Sequence, residues 1–320
     1  MTTAAETDSR TQFLDELIDH GHLIPSGEPG IYGRGERFEK IFTALDGLVT
    51  RTGAADRPER PRFPPVMPRV TLEKAGYLKS FPQLCGSIFS FAGADAAALD
   101  LATRAERGED WTAHLSKTGV VMVPAACYPA YPAIALRGPL PPRGVALDLG
   151  PCYVFRNEPS SDPARMQMFH QRELVRIGEA EDVLEWRDAW MSRATSIFQN
   201  IGVDAKLDVA SDPFFGRGGK LLANSQREQR LKFEMLAPIA LSEPTAVTSF
   251  NFHQEHFGAA FGIHFEDGRP ANSACVGFGL ERITLALFRA HGMELSRWPR
   301  RVTIELWPEE MELNGTSPGN

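Results

Sequence analysis

The chain has 320 residues, 42% hydrophobic and 23% charged, enough to bury a sizeable core in one large domain or two at most. Its net charge of -7 argues against a generally nucleic-acid-binding surface. No apolar run approaches the roughly 20 residues that span a bilayer, and "MTTAAETDSRTQFLDEL" lacks the basic flank of a secretory signal, so a cytoplasmic protein with four reduced cysteines is expected.

Residues 1–20 read as a flexible tail, frayed at its start, before one domain at 21–308 and a C-terminal tail at 309–320. "RFEKIFTALDGLVTR" predicts an amphipathic helix, since Phe38, Ile41, Phe42, Leu45, Leu48 and Val49 recur at helical spacing. The Pro-rich "RTGAADRPERPRFPPV" then enters a short extended run, Phe63 to Met67. "ADAAALDLATRAERGED" predicts a second, Ala-rich helix, and "PAACYPAYPAIALRGPLPP" a proline-punctuated loop. The clearest helix spans Asp182 to Ile201, where Val183, Trp186, Trp190, Ala194, Ile197 and Ile201 form one stripe and Gly202 stops it.

Seven segments read as strands: "VALDLGPCYVFRNE", "MFHQRELVRIG", "AKLDVASD", "LKFEMLAPI", "TAVTSFNF", "FGIHFED" and "SACVGFGL". Few helical crossovers separate them, which predicts an antiparallel sheet flanked by helices, an α+β fold. Alternation places Arg156 and Glu158 on one face of the first of these, and Phe169, Gln171 and Glu173 on one face of the second. In "SACVGFG", Cys275, Gly277 and Gly279 share a face, and the glycines leave room for a flat ligand. Asp212 in "SDPFF" is either a turn residue before proline or a carboxylate facing a substrate amine. Glu234 in "LKFEML" is a charge among apolar neighbours that needs a partner. His253 and His256, three apart, would suit a metal on a helix, but structural or hydrogen-bonding roles are favoured. No CxxC pair points to a metal, so the residue pattern alone leaves the cysteines as buried thiols.

In this order, "FRNE", "FHQRE" and "GFGLER" resemble motifs 2 and 3 of the class II aminoacyl-tRNA synthetases, with the helix before "RFPPV" in the place of motif 1. "RFPPVMPRVTLEKAGYLKSFP", "PAACYPAYP", "SDPFFGR", "LKFEML" and "TSFNFHQEHFG" are similar to the amino acid:[carrier-protein] ligases, homologues of the catalytic core of the atypical, methanogen-type seryl-tRNA synthetases. The resemblance covers roughly Gly30 to Trp298. It implies a class II catalytic domain, a homodimer built through motif 1, and a ligase using ATP with Mg²⁺. Arg156 would clamp the α-phosphate and Arg282 the γ-phosphate, as suits a guanidinium fork. Glu158 would accept from the adenine amino group, Phe169 would stack on the ring, and Arg165 and Met166 would lie over the nucleotide. Ala246, Val247, Thr248 and Ser249 would line the ATP and Mg²⁺ side.

The resemblance further implies one zinc per chain, held by Cys127, Glu173 and Cys275, with an open position for the amino group of a small amino acid, glycine or alanine. Cys152, which shares a face with Arg156, is the rival to Cys127. The acyl group would pass to the phosphopantetheine thiol of an acyl carrier protein. Transfer to tRNA is the alternative and is not expected, because residues 1–61 and 302–320 leave little room for a tRNA-binding module. Segment 216–232 carries Arg217, Lys220, Arg227, Arg230 and Lys232 against Glu228 alone. It reads either as a docking face for an acidic carrier protein or as a solvated helix.

Overall fold

The computed structural model describes residues 4–216, 219–239 and 243–308. Helix α1 (Ala4–Asp19) precedes a hairpin of β1 (Leu23–Pro25) and β2 (Tyr32–Arg34), then α2 (Glu36–Thr52). Next come β3 (Val66–Pro68), α3 (Arg69–Lys74), α4 (Tyr77–Ser80), β4 (Ser87–Phe91), α5 (Asp95–Glu106) and β5 (Leu115–Met122). Helix α6 (Ala130–Ala135) leads into the long pair β6 (Val145–Phe155) and β7 (Met168–Gly178) and helix α7 (Ala180–Asn200). The rest comprises β8 (Lys206–Val209), α8 (Gly219–Glu228), β9 (Lys232–Ala237), β10 (Thr245–Gln254), α9 (His256–Phe261), β11 (Asn272–Gly279), α10 (Leu280–His291) and α11 (Arg300–Leu306). Among the described residues no helix is long and apolar enough to cross a membrane.

The central sheet has the order β6-β7-β11-β10-β9-β8, antiparallel throughout. Register explains its two faces, because cross-strand partners project to the same side. Val276 opposite Leu174, and Phe250 opposite both Val276 and Phe233, form the apolar face. Helices α2, α7 and α10 cover that side, contributing Phe38, Ile41, Leu45, Trp190, Leu285 and Phe288 to the main core. The other face carries Glu173 opposite Gly277, Asn251 opposite Cys275 and Lys232, and Ser249 opposite Glu234. A smaller sheet, β3-β5-β4, lies apart from the six-stranded one.

Two charged groups hold helices onto this framework. Arg172, fully buried on the helix side of β7, donates to Asp46 and Thr50 of α2 and to both oxygens of Asp148 on β6. Asp56, just past α2, accepts at one oxygen from Trp186 (2.9 Å), Trp190 (2.9 Å) and Arg193 (2.8 Å) of α7. Burial alone would push the Asp56 carboxyl up, but the bonds from Arg193, Trp190 and Trp186 bring it below the usual carboxylate range. A carboxyl depressed in the folded state stabilises fully above its unfolded pKa, and that contribution is lost as pH falls through the folded value. Asp56→Ala strands three donors and is expected to lower stability by roughly 2–4 kcal/mol at neutral pH. The gap to the parent should narrow in acid, as urea titrations at pH 7 and pH 3 would show.

Several expectations change. The segment 1–20, read as a flexible tail, contains α1, and Phe13, Leu14 and Leu17 at helical spacing are buried in the main core. "FGIHFED" is not a strand: Phe257 and Phe261 pack as a helical face on Tyr131, and Gly262 ends α9 in the left-handed conformation at φ 74°. The proline-punctuated loop contains α6. Strand β6 stops at Phe155, so Arg156 and Glu158 lie beyond it and alternation does not orient them. The predicted tail 309–320 lies outside the described residues.

Candidate active site

The polar face of the sheet brings Cys127, Glu173 and Cys275 together, with one potential ligand atom from each inside 4.8 Å of the others and all three residues buried. Glu173 comes from β7, Cys275 from β11, and Cys127 from the loop between β5 and α6. Cys152 is not in this group; it is buried beside it, and burial pushes its thiol up to about 11. All four cysteines are free.

Both Glu173 oxygens are buried without a hydrogen-bond partner. An unpartnered buried carboxylate is costly. Burial pushes Glu173 up to about 7, against the opposing effect of the two thiols. Burial raises the Cys127 thiol, and the Cys127 thiol together with burial raises that of Cys275 well above its ordinary value. A bound dication reverses this logic, since it stabilises thiolates and carboxylate alike. Two soft sulfur donors converging with an orphaned carboxylate fit a three-ligand zinc centre.

The loop bearing Cys127 is held by a strut. Gln171 accepts from the Ala126 N–H (3.1 Å), and a Cβ at residue 277 would come within 2.7 Å of the Gln171 amide nitrogen. Gly277 therefore leaves space for Gln171 rather than for a ligand. The expectation of room for a flat ligand does not hold there.

Beside this cluster stand the arginines. Two guanidiniums stand near the Phe169 ring, Arg156 at 5.6 Å and Arg282 at 5.9 Å from its centre. Arg282 is anchored from both sides, donating to the carbonyls of Ala164 (2.7 Å) and Ala246 (2.9 Å). Ala246 borders a register shift before Thr248, which leaves Val247 as the extra residue. Burial and the nearby Arg156 and Arg165 charges bring Arg282 down to about 10, still a cation at neutral pH. Glu158 is half-buried next to Arg156, Ser249 is half-buried on the polar face, and the buried Thr248 hydroxyl has no partner. Arg165 is exposed near Asp162. Met166 is buried and lines a cavity of about 340 Å³ with Tyr32, Arg34, Tyr153 and Glu281, on the His170 side of β7.

Asp212 is more than a turn residue. It accepts from Lys232 and from Gln226 (2.9 Å), and Lys232 also pairs with Glu234 at 3.0 Å. Burial works against the Lys232 ammonium, but the two carboxylates outweigh it and raise its pKa. Glu234 thus has its partner. The Arg156 charge acts on Glu173, Asp212 and Tyr77, so its guanidinium stands near all three.

Lys232, Asn251 and His253 were not singled out from sequence for the places they take. Lys232 belongs by sequence to the basic segment 216–232, but it is buried and committed to Asp212 and Glu234. The alternation K-F-E in "LKFEML" was the available signal. Asn251 donates to Cys275 Sγ (3.4 Å), and His253 Nε2 lies 3.5 Å from the same sulfur. Burial drives His253 down to about 3, so its ring is neutral.

No family model matches the chain. It is 46% identical over 291 residues to amino acid--[acyl-carrier-protein] ligase 1 of Bradyrhizobium diazoefficiens, covering 90% of this chain and 88% of that protein. The chain belongs to the amino acid--[acyl-carrier-protein] ligases. Ligase 2 of the same organism is 43% identical over 287 residues, covering 89% of this chain and 85% of that protein. The fold is that of class II aminoacyl-tRNA synthetase catalytic domains. The Methanopyrus kandleri seryl-tRNA synthetase structure, solved with a tRNA, matches with a TM-score of 0.78 at 22% identity, covering 92% of this chain but 60% of the synthetase. A Giardia lamblia prolyl-tRNA synthetase matches with a TM-score of 0.65 at 13% identity, covering 87% of this chain and 52% of that one.

Proposed function

We propose that the enzyme uses ATP to activate a small amino acid, glycine or alanine, as its aminoacyl-adenylate, and transfers the acyl group to the phosphopantetheine thiol of a carrier protein. The observation that carries this reading is the Cys127–Glu173–Cys275 cluster, with its orphaned carboxylate, near enough to Arg156 for that charge to act on Glu173. Cys127, Glu173 and Cys275 hold zinc in this reading, which when bound supplies an electrophilic position for the substrate α-amino group.

The chemistry needs no protein nucleophile. The amino-acid carboxylate attacks the α-phosphorus and pyrophosphate leaves; the carrier thiol then attacks the adenylate carbonyl and AMP leaves. Arg156 and Arg282 neutralise the phosphate charge, and the carbonyl anchors on Arg282 fix its fork before substrate arrives. Glu158 accepts from the adenine amino group, and Phe169 stacks on the base. Arg165 stands on the loop over the nucleotide, with Met166 buried behind it, and Ala246 to Ser249 form the Mg²⁺ side. Asp212, oriented by Lys232 and Gln226, faces the substrate amine. The domain, which takes in α1 and extends to residue 308, acts in the cytoplasm and works as a homodimer in this reading.

Helix α8 supplies the carrier-protein face. Lys220 and Arg227 are exposed there beside the exposed Leu221 and Leu222, and Arg230 is exposed just past its end. Arg217 lies outside the described residues. Such charges chiefly set encounter rate and register. Reversing Lys220 and Arg227 to glutamate should lower the ratio of carrier transfer to pyrophosphate exchange by about tenfold and flatten its salt dependence.

The deciding experiment supplies ATP, a panel of amino acids, and either a phosphopantetheinylated carrier protein or tRNA. Exchange with glycine or alanine and acylation of the carrier alone is the expected result. Acylation of tRNA instead would establish a seryl-like synthetase.

A further inference from the structure

The polar shell around Cys275 is built by a defect in the β10–β11 pairing. Asn251 stands opposite Cys275 and Phe252 opposite Ala274, but the next pair is Gln254 with Ser273. His253 is therefore an extra residue without a β11 partner, and the bulge turns the chain through a left-handed Gln254 at φ 53°. A positive φ at a non-glycine residue is unfavourable, and bulges beside active sites serve to re-aim side chains. Here the bulge brings the imidazole between Ser273 and Cys275. His253 Nδ1 lies 3.0 Å from Ser273 Oγ and 3.4 Å from the Tyr131 hydroxyl, while Nε2 lies 3.5 Å from Cys275 Sγ. The ring is fixed edge-on to Phe257, 4.8 Å between centres.

The tautomer follows from these neighbours. Both groups near Nδ1 are hydroxyls that can donate, and a metal-bound thiolate can only accept. The proton then sits on Nε2 and points at the sulfur, parallel in role to the Asn251 amide N–H at 3.4 Å. Two thiolates and a carboxylate around a dication leave one net negative charge in a buried site. Donors to the sulfur disperse that charge.

We propose that His253, set by the bulge and by Ser273, is a positioning residue that donates to the Cys275 thiolate, and with Asn251 sets metal affinity and electron donation from sulfur. The inference rests on the zinc reading of the cluster. Outer-shell groups of this kind typically change metal affinity by about 10–100-fold.

The test uses the full chain and three variants: His253→Phe, which keeps a ring but no donor; His253→Gln, which keeps a donor of similar reach; and Ser273→Ala, which releases Nδ1. Zinc affinity is read by chelator competition, and the sulfur by the thiolate-to-metal charge-transfer band of the cobalt(II)-loaded protein. His253→Phe should bind zinc about tenfold or more weakly, with the cobalt band moved to longer wavelength because an undonated thiolate gives up electrons more easily. His253→Gln should fall between it and the parent, and Ser273→Ala should shift the band in the same direction. Should His253→Phe not fold, the Ser273→Ala and Gln comparisons carry the test. Parental affinity and an unshifted band in the folded variants overturn the inference, as does weaker binding in Phe and Gln alike with no band shift. A parent protein that binds no zinc overturns the zinc reading and this inference together.

Discussion

Cys127→Ala and Cys275→Ala are each expected to purify without zinc and to lose amino-acid-dependent pyrophosphate exchange. Each thiolate supplies both a bond and a charge, and two remaining ligands hold zinc poorly. Outer-shell changes alone typically cost about 10–100-fold in metal affinity, so loss of a direct ligand should exceed that range. Cys152→Ala is the control. Its thiol is also buried but lies outside the cluster, so zinc content should stay at about one per chain. Metal analysis beside exchange assays reads both outcomes, and full exchange in the two ligand variants would remove the metal from the mechanism.

Arg282→Ala should instead spare the metal and damage nucleotide use. Losing a buried cation that pairs with phosphate costs roughly 2–5 kcal/mol, or about 30- to 5,000-fold in exchange. Arg282→Lys should recover little, because one ammonium cannot donate to the Ala164 and Ala246 carbonyls in the fixed directions of a guanidinium. Exchange measured against ATP concentration, with zinc content as the control, separates this from a defect in the metal centre. Unchanged exchange in Arg282→Ala would dismiss the phosphate role.

Much of the sheet was legible because alternation is a short-range signal. "MFHQRELVRIG" is β7 from end to end, and the parity that put Glu173 and Cys275 on one face is the parity the register shows. The stripe from Val183 to Ile197 likewise gave α7 within a few residues. What stayed hidden depends on partners far along the chain. "FGIHFED" has strand composition, yet its Phe261 finishes a helix that docks on Tyr131, a tertiary preference that overrides local propensity. Helix α1 was obscured by its polar start, while Phe13, Leu14 and Leu17 had already announced a buried face. Cys127 lacks any local metal signature, so only the family resemblance separated it from Cys152. The hydrogen-bonding role expected of His253 holds, but its direction was hidden, because a bulge breaks the alternation from which it would have been read.

The ion cluster around Arg172 has a consequence for how the chain folds. Its carboxylate partners lie 126 residues away at Asp46 and 24 residues away at Asp148. Sealing a guanidinium under a helix before those carboxylates arrive would strand a charge, at a cost of about 3–5 kcal/mol. Helix α2 can therefore form early by itself but should settle on the sheet late, after β6 and β7 have paired. The same requirement binds the three elements into one cooperative unit that opens together. In stopped-flow urea experiments, Asp46→Ala should mainly speed unfolding and leave refolding nearly unchanged, whereas Asp148→Ala should slow refolding as well.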